Sequence, residues 1–371
     1  MVNMNKNKYY ISFVVATRND NHGGNMIKKN QYFIDNWVQK TKKYKLSSEL
    51  IIVEWNPDKG KKSLKKVLRF PKLQSYQSIK IITTTNDIYK KINLNKKIKF
   101  YQMIAKNIGI VRSQGKFILT TNIDIVFSDE LVKELSKKLL KEKTIYTAER
   151  YDLDFNDFKK RINNKNYLNY LTHINKKNYT YDIKNKRYFF VNRTFLSLFL
   201  DNKKLFTLKK LFTLKKLFTL KKLFKRKIKF KKIFLYFYKY FFDIFFKKKI
   251  HTNASGDFTL IDNKSWKSLK GYYEFNGYSW HLDSILLIRA YYKKFKFKIF
   301  TGKIFHINHN IGSGFTPGDK QLFKNLKINK IRYLNDKKLN HIKNTIKNNP
   351  NYLENNLEWG CKKLLFKTYV T

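Results

Sequence analysis

The sequence predicts an α/β fold in which a mostly parallel sheet carries helices on both faces. Three observations lead there. Apolar, β-branched runs recur at 9–16, 49–54, 79–84 and 116–121. Helical patterning lies between them: Ile27, Phe33, Ile34, Trp37 and Val38 recur at helical spacing, and 100–112 reads as a helix. Strands that alternate with helices pair in parallel, because each crossover helix returns the chain to the edge where the last strand began.

The elements follow in order. YYISFVVA (9–16) is a continuous apolar run, the mark of a buried strand. Polar TRNDNHGGN (17–25) comes next, with two glycines that permit a tight turn. ELIIVE (49–54) is a second strand, stopped at Trp55-Asn56-Pro57, and IKIITT (79–84) a third. KFILTT (116–121) is a fourth and runs into Asn122-Ile123-Asp124. Ser128 then caps a helix whose first turn holds Asp129 and Glu130, acids that suit the positive end of the helix dipole. Later, 258–262 and 297–305 read as strands, Ser284 to Tyr292 as a helix, and the tail as short helices with loops ending in Trp359-Gly360. Residues 151–200 are polar and aromatic and yield no element.

Composition bounds the class. At 371 residues with 42% hydrophobic content the chain can bury a real core, despite a formal net charge of +54. Lys, Asn, Ile, Phe and Tyr are abundant together, as a very AT-rich genome would favour. Residues 203–250 hold 18 basic residues against the single acid Asp243, which leaves +37 on the rest. Charge scattered this widely reads as compositional drift rather than a dedicated polyanion patch. Cys361 is the only cysteine, so a disulfide framework and a cysteine-rich zinc site are both excluded, which suits a reducing, cytoplasmic compartment. Ile11 to Ala16 is too short for a signal-peptide core. Ile233 to Phe246, broken by Lys239 and Asp243, is too short to span a bilayer, which needs roughly 20 apolar residues.

The middle of the chain is different. KLFTLK occurs three times in succession over 204–221. A six-residue period matches neither a solenoid unit nor a heptad, and the near-identity points to replication slippage. A helix is expected, with lysines on one side and Leu/Phe on the other. With 222–250 it forms a basic, aromatic insert. One reading is a membrane-surface helix on anionic lipid, which would place the protein peripherally on the inner face of the cytoplasmic membrane. The other is a solvated loop.

In open α/β sheets, ligands bind beyond the carboxyl ends of the strands. Thr17, Arg18, Asn19, Glu54 and Asn122 to Asp124 all fall at such ends. Asp124 would hold Mg²⁺ or Mn²⁺ through phosphates, or merely shape a turn. Trp280-His281-Leu282-Asp283 opens a helix, where a carboxylate stays ionised and would take a proton from an acceptor hydroxyl, or would simply cap the helix. His306 and His309, three apart, would reach a metal or a diphosphate, or be ordinary surface or core histidines. Gly256 permits close approach of a ligand to the backbone, and Asp257 offers acceptors for sugar hydroxyls. The plain alternative is a turn leading into a strand.

The order of these pieces resembles the GT-A glycosyltransferases, specifically the inverting family-2-like group. AKNIGIVRSQGKFILTTNIDIVFSDEL (105–131) and HTNASGDFTLIDNKSWKSLKGYYE (251–274) carry the likeness, with SWHLDSILL (279–287) and IFHINHNIGSG (304–314). It covers about 9–150 and 251–330. It implies a GT-A type, Rossmann-like sheet, with the basic helical insert and a helical C-terminal tail added. Residues 1–150 would be the nucleotide-sugar half, 151–202 a connecting region, 203–250 the insert, 251–330 the acceptor half and 331–371 the tail. Thr17, Arg18, Asn19, Glu54, Lys106, Asn107 and Asn122 would line the nucleotide site. Gly256, Asp257, Trp280 and His281 would meet substrate, and Asp283 would be the general base. Asp124 would hold the metal. The first position of the common D-x-D is the amide Asn122, so His306 or His309 would complete the shell. The partners implied are a nucleotide-sugar donor and a glycan or lipid-linked acceptor.

Two rivals stand beside this. One is a GT-A domain that has lost catalysis and serves as a binding scaffold. The other is a nucleic-acid-binding protein, motivated by lysines interleaved with aromatics. The chain has no nucleic-acid recognition motif and its charge is diffuse, so no specific nucleic acid is expected.

Overall fold

The computed structural model describes residues 7–20, 24–153, 255–307 and 321–371, all within one unit of the chain. His309, the 203–250 insert with its expected helix, and all but the first residues of the 151–202 connection lie outside the described residues.

Four strands form the expected parallel block: β1 (Tyr9–Thr17), β2 (Ser48–Glu54), β3 (Gln77–Thr83) and β4 (Gly115–Thr121). They lie in the order β3-β2-β1-β4. β1 runs on to β2 on one side, while β4, later in the chain, returns to the other side of β1. The strand order therefore reverses between β1 and β4. All seven residues of β2 are buried, which is why the sequence shows an unbroken apolar run and not an alternation. Thr17 pairs with Glu54 and Glu54 with Thr83, so three strands end at one level and the residues after them form a rim.

Helices cover both faces. On one, α1 (Met26–Lys43) packs Phe33, Ile34 and Trp37 against Phe13, Leu50 and Phe117. On the other, α4 (Gln102–Val111) approaches so closely that a Cβ on Gly109 would lie 2.4 Å from Val14 Cγ1. Two short helices, α2 (Leu64–Val67) and α3 (Asp87–Lys91), lie in the connections on either side of β3. Ser128 caps α5 (Asp129–Ser136) by accepting from Leu131 N, as its sequence position predicts.

Beyond β4 the sheet is mixed. β5 (Ile125–Phe127), β6 (Thr144–Leu153), β7 (Phe258–Asp262) and β8 (Lys296–Ile307) continue it in the order β4-β7-β6-β8-β5. Among the described residues only β6 and β8 of these four pair in parallel, so the sheet is mixed, with antiparallel strand pairings beside the parallel ones. Sequence reasoning found no strand at 144–153. Asp262 caps α6 (Asn263–Leu269), and α7 (Leu282–Tyr292) follows.

The tail is not wholly helical. After α8 (Leu322–Ile328) and α9 (Asp336–Asn348) the chain ends in β9 (Lys367–Val370), antiparallel to β3 and the outermost strand on that side of the sheet. This strand has four residues, mostly exposed, which is too little apolar pattern to announce itself. Arg112 anchors the tail by donating to the carbonyls of Gly360, Cys361 and Leu364. Among the described residues no helix is long and apolar enough to cross a membrane.

Candidate active site

The rim where the strand order reverses gathers the polar residues that the sequence singles out. Asn122 leaves β4 there. Because β7 runs antiparallel beside β4, with Thr121 paired to Phe258, Asp257 stands next to Asn122. Asn122 Nδ2 donates to Asp257 Oδ1 at 2.8 Å. Its Oδ1 accepts from Gln102 Nε2 at 2.8 Å and from Lys106 Nζ at 2.7 Å. Gln102 and Lys106 lie one helical turn apart in α4, so both reach the same amide.

Lys106 is the hub. It is completely buried and also donates to the Gly256 carbonyl at 2.7 Å. Burial holds its pKa down to about 8, while the charges of Asp257, Asp283 and Asp124 oppose that shift. One ammonium thus feels the charge of three carboxylates from separate segments.

Asp283 sits in the first turn of α7. Its Oδ2 accepts from Ser255 Oγ at 2.9 Å and Gly256 N at 2.8 Å, and its Oδ1 from Ser284 N at 2.9 Å. A carboxylate has ~four acceptor positions, so Oδ1 keeps one for a substrate hydroxyl.

The far side of the site comes from β6 and β8. A register shift between Thr147 and Glu149 re-aims the strand ahead of Arg150. Arg150 donates to Asp257 Oδ2 at 2.6 Å and lies 2.9 Å from His306 Nδ1. Pairing of Ile125 with His306, and the bond from Ile307 N to Asp124 O, set His306 beside Asp124. His306 Nε2 is 3.3 Å from Asp124 Oδ2. Burial lowers the pKa of Lys29 of α1, and the charge of Asp124 partly opposes that shift.

A separate recess of about 170 Å³ lies past the ends of β1 to β3, lined by Arg18, Asn56, Asp58, Asn86, Tyr89, Lys96 and Lys99. Arg18 is held there by Asp58 and by a 2.6 Å bond to the Lys99 carbonyl. Asn19 reaches the Lys62 carbonyl at 2.8 Å, and Thr17 is buried against Asn30.

Other residues expected at the ligand already have partners within the protein. Both oxygens of Glu54 are engaged, by Leu64 N at 2.7 Å and Thr83 Oγ1 at 2.9 Å, and burial raises its pKa. Asn107 braces the loop after α6: its amide bonds Tyr272 N and O and Glu274 rather than facing a ligand. His281 contacts Asp336 of α9 at 2.8 Å. Trp280 stands edge-on to Phe323 of α8, centroids 5.6 Å apart. Gly256 is spent on Lys106 and Asp283, and a Cβ there would meet Asp283 at 3.4 Å.

Sequence reasoning missed Gln102, Lys29, Ser255 and Arg150. The i, i+4 spacing of Gln102 and Lys106 was an available signal. Arg150 had none, because its strand was not recognised.

The Mg²⁺ or Mn²⁺ that the resemblance implies is not matched by the donor set among the described residues, which do not include His309. Arginine only donates, so His306 Nδ1 must accept. The proton of the neutral ring then sits on Nε2, facing Asp124, and that nitrogen has no lone pair for a metal. Asn122 is an amide already bonded to two donors. Among the described residues no group of three or more His, Cys, Asp or Glu is arranged to hold a metal ion.

The geometry defines an α/β protein with a cluster of charged side chains at the reversal point of its sheet. No family model matches the chain, and no curated protein matches it. Among solved structures it is similar to the crystal structure of S. aureus TarS 1-349, with a TM-score of 0.26 and 15% identity over 39% of this chain. The match spans 36% of that chain, about a third of its length. So distant a likeness says nothing of what this protein binds or does.

Proposed function

We propose that the protein is a glycosyltransferase that moves a sugar from a nucleotide-sugar donor to a hydroxyl acceptor with inversion. One observation carries this reading: at the point where the strand order reverses, Asn122 links buried Lys106 to Asp257, and Lys106 feels the charges of Asp257, Asp283 and Asp124. The rim at such a reversal is where open α/β sheets take ligands. Donor handling then belongs to 1–150 and acceptor handling to 251–330.

The roles follow from chemistry. The nucleotide lies toward the recess of Arg18, Asp58, Tyr89 and Lys99, with the diphosphate directed to Asn122 and its neighbours. The acceptor oxygen attacks the anomeric carbon while the bond from that carbon to the diphosphate oxygen breaks. The bonding pair leaves with the diphosphate, and Asp283 takes the hydroxyl proton as the new bond forms. Cationic side chains already in place stabilise the departing charge without reorganisation. A single displacement inverts the anomeric centre. A glycan or lipid-linked acceptor fits this scheme, and a lipid-linked one would suit a basic insert resting on a cytoplasmic membrane face.

A thermal-shift screen against UDP, GDP, CMP and dTDP, each with and without Mn²⁺, tests the donor site, since a ligand of the native state raises the melting temperature. Silence with every nucleotide would leave the inactive-scaffold reading. Asp283→Asn keeps the size and loses the base. It should cut sugar transfer about 10²–10⁴-fold while nucleotide affinity stays unchanged. Transfer at the wild-type rate would remove Asp283 from the reaction.

A further inference from the structure

A row of four side chains crosses the site: Asp257, Arg150, His306 and Asp124. The links are 2.6, 2.9 and 3.3 Å. They come from the segment before β7, from β6, from β8 and from the β4–β5 connection. The guanidinium at its centre occupies ground that a bridging cation would need, between Asp257 and the His306–Asp124 pair.

Two features make this arrangement hostile to a dication. The first is the tautomer. A metal on His306 Nε2 would have to remove its proton and set an Nδ1 hydrogen against a guanidinium hydrogen, or else displace Arg150. The second is charge. Asp257 is paired with Arg150, Asp124 has Lys29 near it, and Lys106 feels all three acids. A metal-holding cluster normally presents carboxylates whose charge only the ion meets. A guanidinium suits phosphate directly, through its planar fork of donors. The neighbouring recess adds Arg18, Lys96 and Lys99 against Asp58 in its lining.

We infer that Arg150 stands in for the divalent cation, so that a nucleoside diphosphate binds here without metal, its charge met by Arg150 and the lysines of the site. This rests on the glycosyl-transfer reading and narrows it.

The test is calorimetric titration of the full chain with UDP, GDP, CDP and dTDP, once in EDTA and once in Mn²⁺. One of them should bind with affinities that agree within about twofold in the two buffers. Arg150→Met should weaken that binding about tenfold or more in EDTA, as expected for a lost charge-assisted hydrogen bond. Arg150→Lys, which keeps the charge, should lose less. Urea midpoints of both variants check the fold. If neither folds, the two-buffer comparison on the wild type still decides. The paramagnetic resonance signal of free Mn²⁺ should stay undiminished on adding nucleotide-free protein. Binding that requires Mn²⁺, capture of Mn²⁺ at stoichiometric protein, or folded Arg150→Met with unchanged affinity would overturn the inference and leave the glycosyl-transfer reading standing. Failure of every diphosphate in both buffers would overturn both.

Discussion

Lys106 shows how one residue couples stability to the site. Its folded pKa of about 8 lies below the ordinary lysine value of 10.5. Below pH 8 it is charged in both states, and burying the ammonium costs about 3 kcal/mol in full. Between about pH 8 and 10.5 the unfolded chain holds the proton and the folded chain does not. Stability contributed by this group therefore rises with pH across that window. Urea unfolding of wild type and Lys106→Met at pH 7 and 9.5 should show the difference between them moving toward the wild type by about 2 kcal/mol. A difference that stays flat would mean the ammonium does not titrate there. The same titration removes a cation from among three acids, so nucleotide affinity should fall above pH 8 in the wild type.

At the scale of elements, the site depends on how closely α4 lies on the sheet. Gln102 and Lys106 reach Asn122 because the helix is drawn down at Gly109, over Val14 and Val53. Gly109→Ala would put a methyl 2.4 Å from Val14 Cγ1 and 3.3 Å from Val53 Cγ2. Overpacking of this kind costs about 1–3 kcal/mol. The variant should lower the unfolding free energy measured in urea by that amount, because its side chain finds no room without lifting the helix. The same helix is gripped at its other end, where Asn107 and Arg112 hold the loop after α6 and the tail turn. The resemblance implies that Asn107, like Lys106, faces the nucleotide. Yet adjacent helical residues point about 100° apart, so the two serve different partners.

At the scale of the whole molecule, charge is the dominant feature. Of the net +54, +17 belongs to residues 203–250. A basic, aromatic segment is attracted to anionic lipid by charge and by apolar burial together. Co-sedimentation with anionic vesicles should fall sharply when 203–250 is deleted, and the binding should weaken as salt is raised. Equal binding by the full and deleted chains would dismiss the insert as a membrane contact. The remaining charge includes side chains that the fold uses at the site, such as Lys29, Lys106 and Arg150. Compositional drift toward lysine therefore does not explain every basic residue.

The sequence by itself determined the parallel block and its rim. Buried parallel strands need continuous apolar runs, and β1 to β4 show them to within two residues at each end. Strand ends, in turn, place Arg18, Asn122 and Asp124 at the carboxyl-end rim of the sheet. Tertiary structure decided the rest. Whether β7 runs antiparallel beside β4, or β9 closes the far edge, depends on pairings between distant segments that leave no local pattern. Arg150 is 107 positions from Asp257 and 156 from His306, so their meeting is written in strand order, not in spacing. Side-chain direction is equally non-local. Glu54, Asn107 and His281 carry suitable chemistry at suitable places, but buried polar groups must be satisfied. Glu54 and Asn107 were drawn inward by Leu64, Thr83, Tyr272 and Glu274, and His281 by Asp336 at the surface.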